Sequence, residues 1–568
     1  MLTRRRFLTH SSLAVAGGTL FPARHGLFAA SLGDWGLEHS QAQTRIVKLP
    51  GRSARPVEAF LNPVTDAETM RRLATGAIDA AVHAGAEWAD IRIGDQREYT
   101  PEEWTAQLCY GFGLRVRVGG IEAFVGGGDP TPSHLAQAAH SAVATARGIA
   151  VAYVRTTPSS ELFTPVPAVT GEWRTPIEID PFAVSIDEHE HVAKSLAGAD
   201  DVRLDSLRVG RALGLRFTSE TRVFASSEGS LTTQYLHNTA VRGNAIGWDS
   251  WRLAMLGESV SLPFAGYGYK SCAAGFEIIA RMQRFDQLEA ASREIIGYGA
   301  LPKGTVDVGR YTVVLDGVAH AALLQATLVP ALSARCALGY DADVGGTSPL
   351  SPIGDILGQQ CVSPLLSFGV DHGLPSFGAA QWDAEGVTVT GGPLVTQGRV
   401  VNYLSSRSTH PVVTAAAQST SASNGPSIPL MGCVTAMTAS MPPIEAPFSV
   451  SMPAAPDGGS LADLAKQMGK GLLVRGAYVW VTPDGQGGVI VPYTILEVQR
   501  GQIVRRMNTV SLPFGTKKIL TTLKVVGGPG TLGETSADRR VGFPGSMICN
   551  SATAPAALYS GVDVLDRR

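Results

Sequence analysis

The sequence predicts an α+β fold in two domains, on three observations. Its 568 residues exceed what one hydrophobic core usually serves, and at roughly 150 residues per domain they suggest two to four units. Helical and strand periodicities are interleaved from Thr65 to about residue 300, as expected when helices and antiparallel strands share a core. Beyond Pro302 the texture changes to short apolar strands and Gly-rich turns. The expected division is a leader over 1–30, an extension or linker over 31–64, an N-terminal α+β domain over 65–300 and a strand-rich C-terminal domain over 301–568.

Each element has a local reason. Residues 31–64 show no hydrophobic period and several turn formers. From Thr65, Leu73, Ile78, Ala80 and Ala81 follow a helical pattern and Gly85 supplies the stop. Asp90-Ile91-Arg92-Ile93 alternates as a strand. Gly111 to Val118 alternates again, and Gly119-Gly120 turns the chain back into a strand from Ile121 to Val125. Asp129-Pro130-Thr131-Pro132 is a helix-start signal before an Ala-rich helix from Ser133 towards Arg147. A helical stretch from Phe182 to Gly198 precedes three strands, Leu213 to Phe217, Thr221 to Ser226 and Ser230 to His237, which read as an antiparallel meander. Phe285 to Ile296 has helical spacing too. In the second domain Tyr311 to Asp316 is a buried strand, His320 to Arg335 an apolar helix and Val562 to Leu565 a closing strand. The charge-free, Ser/Ala/Thr-rich tract between Pro411 and Ser427 reads as a mobile surface loop.

Composition narrows the function. Lys plus Arg is 47 against 49 for Asp plus Glu, a formal net charge of −2 with a pI near 6.6. The basic field that drives nucleic-acid binding is missing, so no nucleic-acid partner is expected. Low net charge and a mean hydropathy of +0.10 exclude a largely disordered chain. Thr3-Arg4-Arg5-Arg6-Phe7-Leu8 fits the twin-arginine export pattern, and the apolar run from Leu13 to Phe21 behind it is too short to cross a bilayer of ~30 Å. No later segment offers eighteen uninterrupted apolar residues. Export to the periplasm or the exterior, without a stable membrane span, is the expectation. Cys109, Cys272, Cys336, Cys361, Cys433 and Cys549 are widely spaced with no Cys-x-x-Cys pair, which favours buried free thiols over a disulfide framework or a zinc ribbon.

Ala84-Gly85-Ala86-Glu87-Trp88-Ala89-Asp90-Ile91-Arg92, then Gly113 to Val118 with Ala123-Phe124, then Gly358 to Leu365 with its Ser363-Pro364 pair, occur in sequence along the chain. They are followed by Trp382-Asp383-Ala384-Glu385-Gly386-Val387, by Gly398 to Leu404 with its Tyr403-Leu404 ending, and by Leu461 to Gly476. Together these stretches resemble the TldD/PmbA family, called modulators of DNA gyrase or TldD/E-type metallopeptidases, with the Asp383 segment similar to that family's Asp-x-Glu-Gly strand. The resemblance implies a two-domain α+β subunit that works as a dimer, encloses a cavity and cuts small or unfolded peptides. In catalytic members a helix carries His-Glu-x-x-x-His, and a Cys in a late Gly-Thr-Cys-Gly turn completes a zinc site. Imidazole and thiolate donors suit zinc, which lowers the pKa of its bound water, and the Glu would take that water's proton.

Every one of those groups is replaced here. Laid without gaps after Val314-Leu315-Asp316, the helix puts Gln325 at the first His position, Ala326 at the Glu position and Pro330 at the second His position. Gly530-Thr531-Leu532-Gly533 puts Leu532 at the thiolate position. None of the four is a good zinc donor, so no intact catalytic set, no metal and no cofactor are expected, although family members use zinc. Pro330 should also kink or end its helix. Among other candidates, His189-Glu190-His191 falls at a helix start, where residues two apart diverge by about 200°, and reads as a charged surface turn. His320 reads as a satisfied buried histidine. His372, beside Asp371, and His410, beside Thr409, remain ligand-contact candidates, with an ordinary loop histidine as the alternative for each. Nucleophile-elbow and P-loop motifs are absent.

The function these readings favour is an exported, metal-free subunit that shapes a peptide-processing cavity. It would act in a homodimer, or in a heterodimer with a metal-bearing TldD-type paralogue, and hold extended peptide by strand addition. Two other readings stand beside it: an active metallopeptidase with non-standard ligands, and a stand-alone periplasmic peptide-binding or scaffold protein. The gyrase label is not carried over, because an exported protein would not meet gyrase.

Overall fold

The computed structural model describes residues 43–565, apart from 153–162, 198–201, 205–206, 250–258, 264–269, 281–292, 295, 343–345, 372–378, 421–427, 509 and 542–545. The expected leader, His372 and nearly all of the Phe285 to Ile296 helix lie outside the described residues.

The first half is built on one mixed sheet. Its strands are β1 (Gln43–Lys48), β2 (Trp88–Thr100), β3 (Thr105–Val118), β4 (Ile121–Gly128), β5 (Thr170–Arg174), β6 (Leu207–Ser226) and β7 (Leu231–Asp249), with short pieces at Val202–Leu204, Ser259–Pro263 and Lys270–Cys272. The order is β1-β3-β2-β6-β7, with β4 beside β3 and β5 parallel to β7. Helix α1 (Ala67–Ala84) starts where the Asp66 side chain accepts from the Thr69 N–H and stops at Gly85, whose φ of 99° suits glycine. It buries Met70, Ala74, Ala77, Ile78 and Ala81. Helix α2 (Pro132–Ala152) adds Leu135, Ala139 and Ala142. Both pack on the apolar sheet face made by Ile91, Ile93, Phe112, Leu114, Val116 and Val223. The intervening residues on β2 and β3, Asp90, Arg92, Arg115 and Arg117, point to the other face and are buried as well.

The second half runs β8 (Gly309–Leu315), α4 (Gly317–Ala331) and α5 (Ala334–Leu338), counting Ile186–Ala197 in the first half as α3. Then come β9 (Phe368–Val370), β10 (Gly392–Thr396), β11 (Arg399–Val400), α6 (His410–Thr420), β12 (Ser449–Ser451) and α7 (Leu461–Met468). The chain closes with β13 (Lys470–Val481), β14 (Gly487–Gln499), β15 (Gln502–Met507), β16 (Leu523–Val526), β17 (Gly533–Val541), β18 (Ser546–Ala554) and β19 (Ala557–Val564). One sheet has the order β15-β14-β13-β8-β19-β16 and a second β11-β10-β9-β12-β18-β17. Helix α4 touches β13 of the first and the β17–β18 hairpin of the second. Nearly all of its residues are buried, which is why its sequence is apolar all round.

Several sequence expectations are corrected. Part of the expected extension is the edge strand β1, antiparallel to β3 from Gln43↔Tyr110 to Lys48↔Thr105. The first two strands of the expected meander are one strand, β6, because Thr218, Ser219 and Glu220 pair with Asn238, His237 and Leu236 instead of turning. The tract after Pro411 begins as helix α6, with Val413 and Ala417 in the core and Pro411 in the first turn, where its missing N–H costs nothing. The Asp383 stretch is a tight turn rather than a strand: Asp383 Oδ1 accepts from the N–H groups of Glu385 at 2.8 Å and Val387 at 3.0 Å. The helix expected from His320 to Arg335 is divided. Helix α4 ends just after Pro330, and α5 restarts with Ser333 accepting from Cys336 N.

Candidate functional site

The site implied by the resemblance lies along α4. Asp316 caps the helix by accepting from Ala319 N at 2.9 Å, while its other oxygen receives Arg475 Nε at 3.1 Å and Gly476 N at 3.0 Å. One turn on, His320 Nδ1 lies 2.6 Å from the Pro555 carbonyl and Nε2 lies 2.8 Å from the Tyr559 hydroxyl. Nδ1 therefore donates and Nε2 accepts. Burial pushes the pKa of this neutral imidazole down to about 4, and neither nitrogen is left for a metal. The satisfied buried histidine read from the sequence is what the structure has.

Gln325 sits at the first motif position, buried, with Nε2 donating to the Asn550 carbonyl at 2.7 Å and also to the Asn550 side-chain oxygen. Ala326 and Pro330 are partly exposed and carry no donor atom. The fourth position is elsewhere. A Cβ on Gly317 would meet Thr531 O and Gly533 N at 2.3 Å, so the Gly530 to Gly533 turn rests on the first residue of α4. Eight helical residues separate Gly317 from Gln325, about 12 Å along the axis at the standard rise. Leu532 is 48% exposed. The structure therefore does not bring Leu532 to the other three positions. The hairpin register sets Ala537 opposite Asn550, so the backbone facing Gln325 belongs to the middle of β17–β18.

These residues do not fit zinc: an amide already committed as a donor, a methyl group, a proline ring and a distant leucine provide no ligand set. Among the described residues no three His, Cys, Asp or Glu side chains cluster as a metal site would require.

Two other histidines, His410 and His189, have structural places. His410 is buried, with Nδ1 3.0 Å from Thr164 Oγ1 and Nε2 2.9 Å from the Ile428 carbonyl, and burial lowers its pKa. Both nitrogens serve the fold, which leaves none for a ligand. The surface turn expected at His189 is overturned. Helix α3 carries Ile186 and His189 on its inner face, and the His189 ring is buried against Tyr99, Phe217 and Phe276. Its Nε2 is 2.8 Å from the Pro181 carbonyl, and burial drives its pKa down to about 4. His191, two residues on, is exposed. Cys109, Cys336, Cys361 and Cys433 are free thiols, as their spacing suggested.

Sequence reasoning missed a polar region where the sheet of the first half meets the second half. Arg115 Nε donates to Asp90 Oδ1 at 3.0 Å, its Nη2 to the other Asp90 oxygen, and its Nη1 to Glu385 Oε1 at 2.6 Å. Burial opposes its charge, but Asp90 and Glu385 hold its pKa well above the ordinary arginine value. Arg407 makes a bidentate pair with Glu228, both distances 2.7 Å, and its guanidinium lies 4.2 Å from the Phe163 ring centre. Burial would raise the Glu228 pKa, yet the bonds from Arg407 and Trp88 bring it below the usual value. Asp383, cradled by backbone N–H groups, is pushed upward by burial and by Glu385. The signal was present in the alternation of charges on β2 and β3, but the partners are 270 residues apart for Arg115–Glu385 and 179 for Arg407–Glu228.

Comparison with known proteins follows from this geometry. Residues 308–564 match the family described as PmbA/TldA metallopeptidase C-terminal domain. No curated protein matches the chain. A candidate modulator of a DNA gyrase from Thermotoga maritima is 15% identical, with a TM-score of 0.62, over 87% of this chain and 100% of that one. Another from Bacteroides thetaiotaomicron is 14% identical, with a TM-score of 0.59, over 89% and 100%. TldE from Thermococcus kodakarensis is 14% identical, with a TM-score of 0.60, over 87% and 99%. The mixed α+β architecture is thus shared with these structures over most of the chain.

Proposed function

We propose that this protein is a metal-free subunit of the TldD/PmbA family, because residues 308–564 match a PmbA/TldA metallopeptidase C-terminal domain and the fold resembles that of a gyrase-modulator structure. In this reading it shapes a peptide-processing cavity, in a dimer whose metal-bearing half is a TldD-type paralogue. The observation that carries the proposal is the content of α4: Gln325 spends its amide on Asn550, while Ala326 and Pro330 have nothing to donate. The helix is capped by Asp316 and anchored by His320, so these neutral side chains stand on a well-formed scaffold. The terminal position of β17 in its sheet, beside α4, supports binding of extended peptide by strand addition. Thr3 to Leu8 supports export by the twin-arginine route.

The test is the metal content and peptide hydrolysis of the purified full chain, alone and mixed with a metal-bearing paralogue. The expected result is far less than one zinc per chain and no chelator-sensitive hydrolysis by the chain alone, with co-purification of the paralogue. Stoichiometric zinc together with chelator-sensitive cleavage by the chain alone would overturn the proposal. Export has a separate check: Arg4→Lys with Arg5→Lys should leave the protein in the cytoplasm, as seen by cell fractionation.

A further inference from the structure

The N-terminal sheet meets the C-terminal domain across a charged face. Besides the Arg115 and Arg407 pairs, Arg92 donates to the carbonyls of Ala384 at 3.1 Å and Met441 at 3.0 Å, and Gln234 holds the Trp382 carbonyl at 3.0 Å. Glu385 joins the two arginines, since its second oxygen accepts from Arg407 N at 2.8 Å. Two glycines let backbone lie directly on backbone. A Cβ at Gly113 would fall 2.2 Å from Ala439 O, and one at Gly126 would fall 2.0 Å from Ser440 O.

A strap crosses the same junction. Thr164 N donates to Arg407 O at 2.9 Å, and Thr164 O accepts from Arg407 Nε at 2.9 Å. Six residues later the same segment runs as β5 beside β7. Phe163 fills the space between, 4.7 Å from Trp88, whose Nε1 donates to Glu228 at 2.9 Å.

We infer that this junction is a latch which makes the two domains one rigid body, with Arg407 as its pin and residues 163–174 as its strap. Domains in one chain commonly move against each other when their interface is small and polar. Here the polar groups act in the opposite sense. Bidentate arginine–carboxylate pairs fix orientation as well as distance. A small rotation would strand the buried guanidinium groups of Arg115 and Arg407 half-paired before water could reach them, and a buried charge without its partner is costly. The glycine contacts leave no side chains to slide over one another. Any change in access to a cavity would then involve motion between subunits and not within this chain. The rigidity itself holds whether or not the chain carries metal.

Amide hydrogen exchange of the full chain, followed by mass spectrometry, tests the latch. In the unmodified protein, peptides covering 163–170 and 382–387 should exchange as slowly as those of α1 and β8. Arg407→Met, which removes the bonds to Thr164 O and Glu228, should accelerate both joint peptides by about tenfold or more, the scale of lost hydrogen bonds to a charged group, and leave α1 and β8 unchanged. Glu228→Gln, which keeps an acceptor for Trp88 but leaves the buried Arg407 without its counter-charge, should also show a rise in the same peptides and serves if Arg407→Met does not fold. The latch is refuted if 163–170 of the unmodified protein exchanges like the exposed turn 482–486, if neither variant changes the joint, or if acceleration spreads evenly through both cores.

Discussion

Around Arg115 and Arg407 each guanidinium meets a carboxylate, whereas along α4 Gln325, Ala326 and Pro330 present an amide, a methyl group and a proline ring. Both regions are largely buried, and the difference lies in what burial demands of each. A set of buried charges is interdependent, since deleting one member leaves another unpaired in a poor dielectric. A site whose members are all neutral has no such constraint. Its residues need only fill space and satisfy their own hydrogen bonds. Thus Gln325, Ala326 and Pro330 on α4 place little demand on one another, while the carboxylates and arginines of the joint depend on each other.

The strongest way to break this comparison is Glu385→Ala. It strips a partner from Arg115 and an acceptor from Arg407 N, and should cost about 3–5 kcal/mol in urea unfolding. A loss below about 1 kcal/mol would mean that the joint is no more constrained than an exposed ion pair. Acid titration sharpens the other side. His320 anchors α4 with a pKa near 4 when folded, against about 6.5 when unfolded. The unfolded chain therefore binds the proton more readily. The anchor's stability is full above pH 6.5 and is lost as the pH falls towards 4, amounting to about 3 kcal/mol. His320→Gln should flatten that part of the stability–pH curve by a similar amount, with the contribution of His189 left in place. The smallest effect is expected at the motif itself. Gln325→Leu removes the donor to Asn550 and should cost about 1–2 kcal/mol, measured by the same denaturant titration. A cost equal to that of Glu385→Ala would erase the contrast.

The legible parts of the molecule were those with near neighbours in sequence. Asp66 and Gly85 bracket α1, Gly119-Gly120 turns β3 into β4, and the four replaced motif residues can be read off two short segments. His189 was misread because its neighbours along the chain, Glu188 and Glu190, are charged, whereas its neighbours in space are Tyr99, Phe217 and Phe276. Helix α6 was misread as loop because Ser, Thr and Ala lack strong local preference, and only the core contacts of Val413 and Ala417 decide the matter.

By itself the amino-acid order determined the mixed α+β architecture, the resemblance of residues 308–564 to a known family, and that Gln325, Ala326 and Pro330 are not zinc-binding residue types. These follow from periodicity, local turns and the chemistry of single side chains, all of which act over a few residues. Only the tertiary structure decided that the Gly530 to Gly533 turn rests on Gly317, about two helical turns before Gln325, that β1 joins the sheet, and that Arg115 and Arg407 find carboxylates far along the chain. Those facts depend on which distant groups meet once water is excluded. Burial sets the strength of each such meeting, and no local pattern records it.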